Sequence, residues 1–279
     1  MVRPSLQRFW DLLGTVRSAT ADRVAGDPPS SNGASSFHLR WDMPVTQRHP
    51  GFREISVTLE IIEPPTVDRL YFWALQADFA DGAGRRAGGA HLGLQWHPQY
   101  PGATAVNWGG YDADGRELRG SASSLPSALH NVNTRNLAWL PGTPYRLRIL
   151  RVDDAGAAPV WRGIVTGPDG VEVVIRDLHP EADRINGAVM WSEVFARCDH
   201  PTAAVRWSDP VAVTLDGTTI GPERLSVNYQ SHADGGCANT DSSVDDLGVL
   251  QRTNAERSTP QGAVLALPSR LADGTPDVV

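Results

Sequence analysis

Glu193 stands in the run VMWSEVFARC and shares strand parity with Trp191, Phe195 and Arg197. A carboxyl set among aromatic rings is costly to ionise, so its pKa rises and it can act as a general acid. The plain alternative is an ion pair with Arg197. A two-carboxylate glycosidase needs a second acid roughly 5–9.5 Å away; Asp78, Asp177 and Glu172 are the available partners. His91 and His97 can each donate to a sugar hydroxyl or serve as a base near neutral pH. Six residues of strand separate them by about 20 Å, too far to share a metal ion.

Cys198-x-His200 and His232-x4-Cys237 bring two thiols and two imidazoles, a donor set that suits tetrahedral zinc. The same cysteines can form a Cys198–Cys237 disulfide or remain free thiols, and the spacing leaves all three readings open. A disulfide would imply export or another oxidising compartment. The segment GGCANTDSSVDDLG places Asn239, Asp241, Asp245 and Asp246 close together. Such an oxygen-rich loop is either a structural calcium site or a turn with capping carboxylates. No G-x-S-x-G elbow is present, and NVNTRN (131–136) holds no N-glycosylation acceptor.

These groups need elements to position them. Residues 5 to about 24 have helical spacing, with Ser5 as N-cap and Leu6, Phe9, Trp10, Leu13 and Val16 on one stripe. Residues 25–36 (AGDPPSSNGASS) form a linker by composition, so the expected units are 1–36 and 37–279. Strands are expected near 37–42, 54–62, 70–79, 90–97, 104–111, 145–152, 160–166, 171–178, 187–196, 204–207, 211–215 and 224–230, with a last one at Ala263 to Leu267. Residues two apart on a strand share a face. In 70–79, Tyr71, Trp73, Leu75, Ala77 and Phe79 oppose Gln76 and Asp78. In 90–97, Leu92, Leu94 and Trp96 oppose His91, Gln95 and His97. In 104–111, Val106 and Trp108 oppose Asn107 and Tyr111. If the three strands share a sheet, its second face carries Gln76, Asp78, His91, Gln95, His97, Asn107 and Tyr111. That set is rich in neutral hydrogen-bonding groups, and its glycines would let a ligand approach the backbone.

All 25 basic residues among the 279 are arginine. Lysine Schiff bases, lysine bases and the phosphate-loop lysine are thereby excluded. The plain reading of the missing lysine is codon bias in a GC-rich genome, and the chemical exclusions hold whatever its origin. A formal net charge of −7 argues against a nucleic-acid partner. No apolar run is long enough for a membrane span. The start lacks the apolar core of a secretory signal, so it reads as cytoplasmic, with export not excluded.

The succession YFWALQADF, GGAHLGLQW, AVNWGGY, then WLPGTPYRLRIL and VWRGIVTGPDGVEVVIRDL, resembles the central strands of concanavalin A-like (legume-lectin/glucanase-type) jelly rolls. The resemblance covers about residues 50–230. It implies an all-β fold of two antiparallel sheets, one concave, with glycans in the groove; here a short N-terminal helix is added. The E-x-D-x-x-E strand of the glucanases is absent. QWH (Gln95 to His97) only loosely echoes the Q-[IV]-H strand of the alginate lyases, whose Tyr-Lys strand cannot occur here. The first expectation is therefore a lectin-like module that binds a glycan or small polyhydroxylated ligand and requires no cofactor. The second is a polysaccharide hydrolase or lyase with Glu193 as acid/base. The third is a scaffold that docks a protein partner through its N-terminal helix.

Overall fold

The computed structural model describes Gly26 and residues 35–44, 51–152 and 159–267. The expected N-terminal helix lies outside these residues. What is described is all-β and antiparallel. The strands are β1 (Ser35–Asp42), β2 (Phe52–Glu63), β3 (Tyr71–Ala80), β4 (Arg86–Trp96), β5 (Thr104–Tyr111) and β6 (Thr134–Asn136). They continue with β7 (Pro144–Val152), β8 (Val160–Thr166), β9 (Glu172–Leu178), β10 (Arg184–Val194) and β11 (Ala204–Thr214). The last five are β12 (Thr219–Ile220), β13 (Arg224–Tyr229), β14 (Asp241–Asp245), β15 (Gly248–Arg252) and β16 (Val264–Ala266).

Hydrogen bonding links the sixteen strands into one system. One group runs β6-β5-β4-β3-β10-β1-β13-β16, and the other runs β9-β8-β7-β2-β11-β15-β14 with β12 on β11. The link between β10 and β2 is the single pair Ile185↔Phe52. Both groups send apolar side chains into one core. Trp108 of β5 is fully buried and lies so close to Gly163 of β8 that a Cβ there would meet its ring at 2.7 Å. Phe79 of β3 packs against Trp161 of β8 with ring centroids 5.0 Å apart. A buried polar tie joins the groups as well. Gln251 Oε1 accepts from Ser192 Oγ at 2.8 Å and from Trp207 Nε1 at 2.9 Å, while its Nε2 donates to the Phe37 carbonyl at 3.0 Å. Substituting Gly163→Ala should lower unfolding free energy by about 1–3 kcal/mol through overpacking. A urea midpoint unchanged from the wild type would show that the Trp108 ring yields freely.

The outer face of the second group is a ladder of ion pairs. Arg148 holds Glu54 at 2.6 Å, Arg162 holds Asp177 at 2.8 Å, and Arg206 holds both Glu60 and Asp245 at 2.9 Å.

Four strands escape the sequence reading: β6, β12, β14 and β15. The stretches expected as 204–207 and 211–215 are one strand, β11. Its register against β2 slips between Ser208 and Val211, where Asp209 takes a φ of 50° just before Pro210. The bulge accommodates a proline that an uninterrupted ladder would reject.

Candidate functional site

The pairing register decides which side chains share a face, because directly opposed residues of antiparallel strands point the same way. Phe72 of β3 is opposite Gln95 of β4 and Glu193 of β10, and Glu193 is opposite Ser36 of β1. In the next row Ala74 lies between Gly93 and Trp191, with Asn107 beyond Gly93 and His38 beyond Trp191. Then Gln76 lies between His91 and Val189, with Arg40 beyond Val189. Finally Asp78 lies between Gly89 and Gly187, with Tyr111 beyond Gly89. The expected face therefore exists, and β10 and β1 extend it. Gln76, Asp78, His91, Gln95, Asn107, Tyr111 and Glu193 all belong to it. Alternation brings the neutral groups together on three strands. The contribution of β1, His38 and Arg40, went unread because no sequence signal says which strand lies beside β10.

His97 does not join them. β4 ends at Trp96, and His97 lies in the following turn. Its Nδ1 accepts from Gln99 N at 3.3 Å and its ring stands edge-on to Tyr100. The glycines do not open the backbone to a ligand as expected. A Cβ at Gly93 would strike the Trp73 carbonyl at 2.0 Å, and one at Gly109 would strike the Asn133 side chain at 2.5 Å. They are small so that the protein can pack against itself.

A second apolar cluster sits on this face, apart from the main core: Phe72, Ala74, Val189 and Trp191. Trp191 meets Phe72 edge-on at 4.9 Å and His91 at 5.6 Å, and His91 meets Phe72 at 5.5 Å. The Trp191 indole N–H donates to Gln76 Oε1 at 3.2 Å, and Gln76 Nε2 donates to Asp78 Oδ1 at 3.0 Å. Asp78 also meets Arg40 at 3.4 Å. At the β5 end, Asn107 Nδ2 donates to Thr134 Oγ1 at 2.8 Å. Gln76 and Asp78 of β3 and Asn107 of β5 are thus each fixed by a neighbour on the same face.

Electrostatically the face favours neutral forms. Burial pushes the Glu193 carboxyl up to about 7, and no described residue pairs with it. Arg197, its expected partner, instead holds Asp199 at 3.1 Å. Burial lowers His91 to about 4, and burial together with the nearby Arg40 charge lowers His38 to about 4. Burial also raises Asp78, against the pull of Gln76 and Arg40. Between about pH 4 and pH 7 the face therefore carries carboxamides, neutral imidazoles and a protonated carboxyl.

None of the three acids proposed as partners reaches Glu193. Asp78 is six residues along β3 from the position opposite Glu193, about 20 Å at strand rise. Asp177 and Glu172 are ion-paired on the outer ladder. None of the three therefore supplies the second carboxylate at roughly 5–9.5 Å that a two-acid glycosidase needs.

Of the three cysteine readings, the disulfide is the one found: Cys198 is bonded to Cys237. Its sulfurs are not available as thiolates to hold zinc with His200 and His232. In the oxygen-rich segment two of the carboxylates are engaged by the protein's own backbone. Asp241 accepts from Ser258 N and Thr259 N at 3.0 Å, and Asp245 caps its own turn from Leu247 N and Gly248 N at 2.9 Å. The segment forms the β14–β15 hairpin, and the Asp241 and Asp245 carboxylates help to hold it. Among the described residues no group of three His, Cys, Asp or Glu side chains could hold a metal ion. No helix among them is long and apolar enough to cross a membrane.

The class defined so far is an all-β antiparallel protein with one polar sheet face around a half-buried glutamic acid. No family model matches the chain, and no curated protein matches it. Among solved structures it is similar to scytalido-glutamic peptidase with a transition state analog inhibitor, at 12% identity and a TM-score of 0.44, covering 78% of this chain and 98% of that one. It is similar to SCP-B, an Eqolisin-family peptidase with the tripeptide Ala-Ile-His, at 11% identity and 0.41, over 78% and 98%. It is similar to peanut lectin with a 9mer peptide at 14% identity and 0.27, over 72% and 78%. At these values the likenesses carry no functional argument.

Proposed function

We propose that the chain is a two-layer jelly-roll sandwich whose β10-β3-β4-β5 face binds a glycan or similar polyhydroxylated ligand. The observation that supports this best is the convergence of Gln76, His91, Gln95, Asn107 and Glu193 on one face with neutral groups predominating. Sugar hydroxyls are neutral and both donate and accept, so they match carboxamides and a protonated carboxyl. Tyr111, 41% exposed at the edge of the face, is the ring free enough to stack on a sugar. The Cys198–Cys237 disulfide supports an oxidising compartment as part of this proposal, because such bonds persist there and are rare in the cytosol.

Hydrolysis or lyase chemistry is the second reading, and the raised Glu193 favours it, since displaced pKa values cluster at catalytic sites. Against it, Asp78, Asp177 and Glu172, the acids expected to partner Glu193, all lie away from it. A glycan array probed with the full chain, followed by assays of reducing-end release and peptide cleavage, tests both. The expected result is capture of neutral glycans with no cleavage. Turnover that disappears in Glu193→Gln would replace the binding reading with the catalytic one.

A further inference from the structure

Arg146 stands on β7 opposite Thr58 of β2, and on the far side of Thr58 is Ser208 of β11. Its guanidinium reaches across β2. Nη1 donates to Thr58 Oγ1 at 3.3 Å and Nη2 to Ser56 Oγ at 2.6 Å, which anchors the group. Nη1 also donates to the Asp209 carbonyl at 2.7 Å. That carbonyl belongs to the Asp209–Pro210 peptide bond in the β11 bulge. Asp209 holds a left-handed φ of 50°, a conformation that costs free energy in a residue with a side chain. The residue is exposed, and its carboxylate lies within electrostatic reach of the same guanidinium.

Three features therefore meet at one peptide bond. The carbonyl oxygen faces an anchored cation, placed where negative charge develops if the carbonyl carbon is attacked. The carboxylate of the same residue is a nucleophile tethered to that carbon, so attack needs no encounter. The proline nitrogen carries no hydrogen and donates nothing to the ladder, so its departure breaks no hydrogen bond.

We propose that Asp209–Pro210 is a self-cleavage site, with Asp209 as the nucleophile and Arg146 holding the oxyanion. An Asp209 carboxylate oxygen bonds to the Asp209 carbonyl carbon. The C–N bond to Pro210 breaks, and the proline nitrogen takes a proton from water and leaves as a secondary amine. Hydroxide from that water then opens the cyclic anhydride to two carboxyl groups. One water is consumed overall, and nothing is oxidised or reduced. The strand keeps its neighbours on both sides of the cut. Ala204 to Trp207 remain between β2 and β15, and Ala212 and Val213 remain between β2 and β12. The cut falls between Cys198 and Cys237, so residues 1–209 and 210–279 stay joined by the disulfide. Cleavage here is independent of any sugar on the β3–β4 face.

The full chain, held in mildly acidic buffer and followed by mass spectrometry and by gels with and without reductant, tests it. The expected result is a single band without reductant that reduction resolves into 1–209 and 210–279, with a new amino terminus at Pro210. The folded chain should cut about tenfold faster than the same chain unfolded in urea, because only the fold aims Arg146 at the bond. Asp209→Asn keeps a residue that tolerates the left-handed conformation but lacks the nucleophile, so it should stay whole. Arg146→Lys keeps the charge but cannot serve Ser56, Thr58 and the carbonyl together, and should slow the cut about tenfold. A chain that stays intact, that cuts only at other bonds, or that cuts equally fast in urea would overturn the assignment. So would a cut that persists in Asp209→Asn or is not slowed in Arg146→Lys.

Discussion

Replacing Cys198 and Cys237 together with alanine is expected to lower stability by about 4 kcal/mol, the loop-closure value for a sequence separation of 39. The bond ties the end of β10 to the segment that precedes β14. Its surroundings are hydrogen-bonded to the same segments: Asn239 Nδ2 donates to the Cys198 carbonyl and Arg257 Nη2 to the Cys237 carbonyl. Both cysteines are buried, so the loss is not offset by new solvation of the site. Urea unfolding of the double variant, beside reduced wild type, measures the effect. The two should agree. A difference from the oxidised protein smaller than about 1 kcal/mol would mean that the remaining contacts already fix the loop in the unfolded ensemble.

Glu193→Gln is expected to stabilise the protein at alkaline pH and to leave it unchanged in acid. The folded carboxyl has its pKa raised to about 7 from an ordinary 4.5. Between these values the native state holds a proton that the unfolded chain has released, so wild-type stability falls as pH rises through that window. The full cost of ionising the buried acid, about 3 kcal/mol, is reached above pH 8. Glutamine has no such cost. The two histidines act in the opposite sense. His38 and His91 are lowered to about 4, so stability falls as pH drops from 6.5 towards 4 in wild type and variant alike. The difference between the two proteins isolates Glu193. Urea midpoints at pH 4.5 and pH 8.5 should show a gap only at the higher value. An equal gap at both would mean that Glu193 is not desolvated in the folded state.

Much of this architecture was legible because strand alternation is a local property. Tyr71, Trp73 and Leu75 against Gln76 and Asp78, and Leu92 and Leu94 against His91 and Gln95, fix which residues share a face whatever the topology. Neighbour relations are not local. The row Ser36–Glu193–Phe72–Gln95 joins residues more than a hundred positions apart, so His38 and Arg40 could not be assigned to the face. Nor could Arg197 be seen to prefer Asp199 over Glu193. The β14–β15 hairpin was hidden because Asp241, Ser242, Ser243 and Asp245 have the polarity of a loop. Its pairing with β11 and the bonds from Ser258 and Thr259 make it a strand, and those are tertiary. His97 was misplaced by one residue of strand end, where side-chain parity ceases to hold.

The central claim is that the neutral face of β3, β4, β5 and β10 is a sugar-binding surface. Calorimetric titration of neutral oligosaccharides into the full chain tests it most directly. The account predicts saturable binding. Gln76→Ala or Gln95→Ala should weaken it by roughly tenfold, about the worth of one hydrogen bond to a carboxamide. Absence of binding with the fold intact, or binding indifferent to both substitutions, would contradict it.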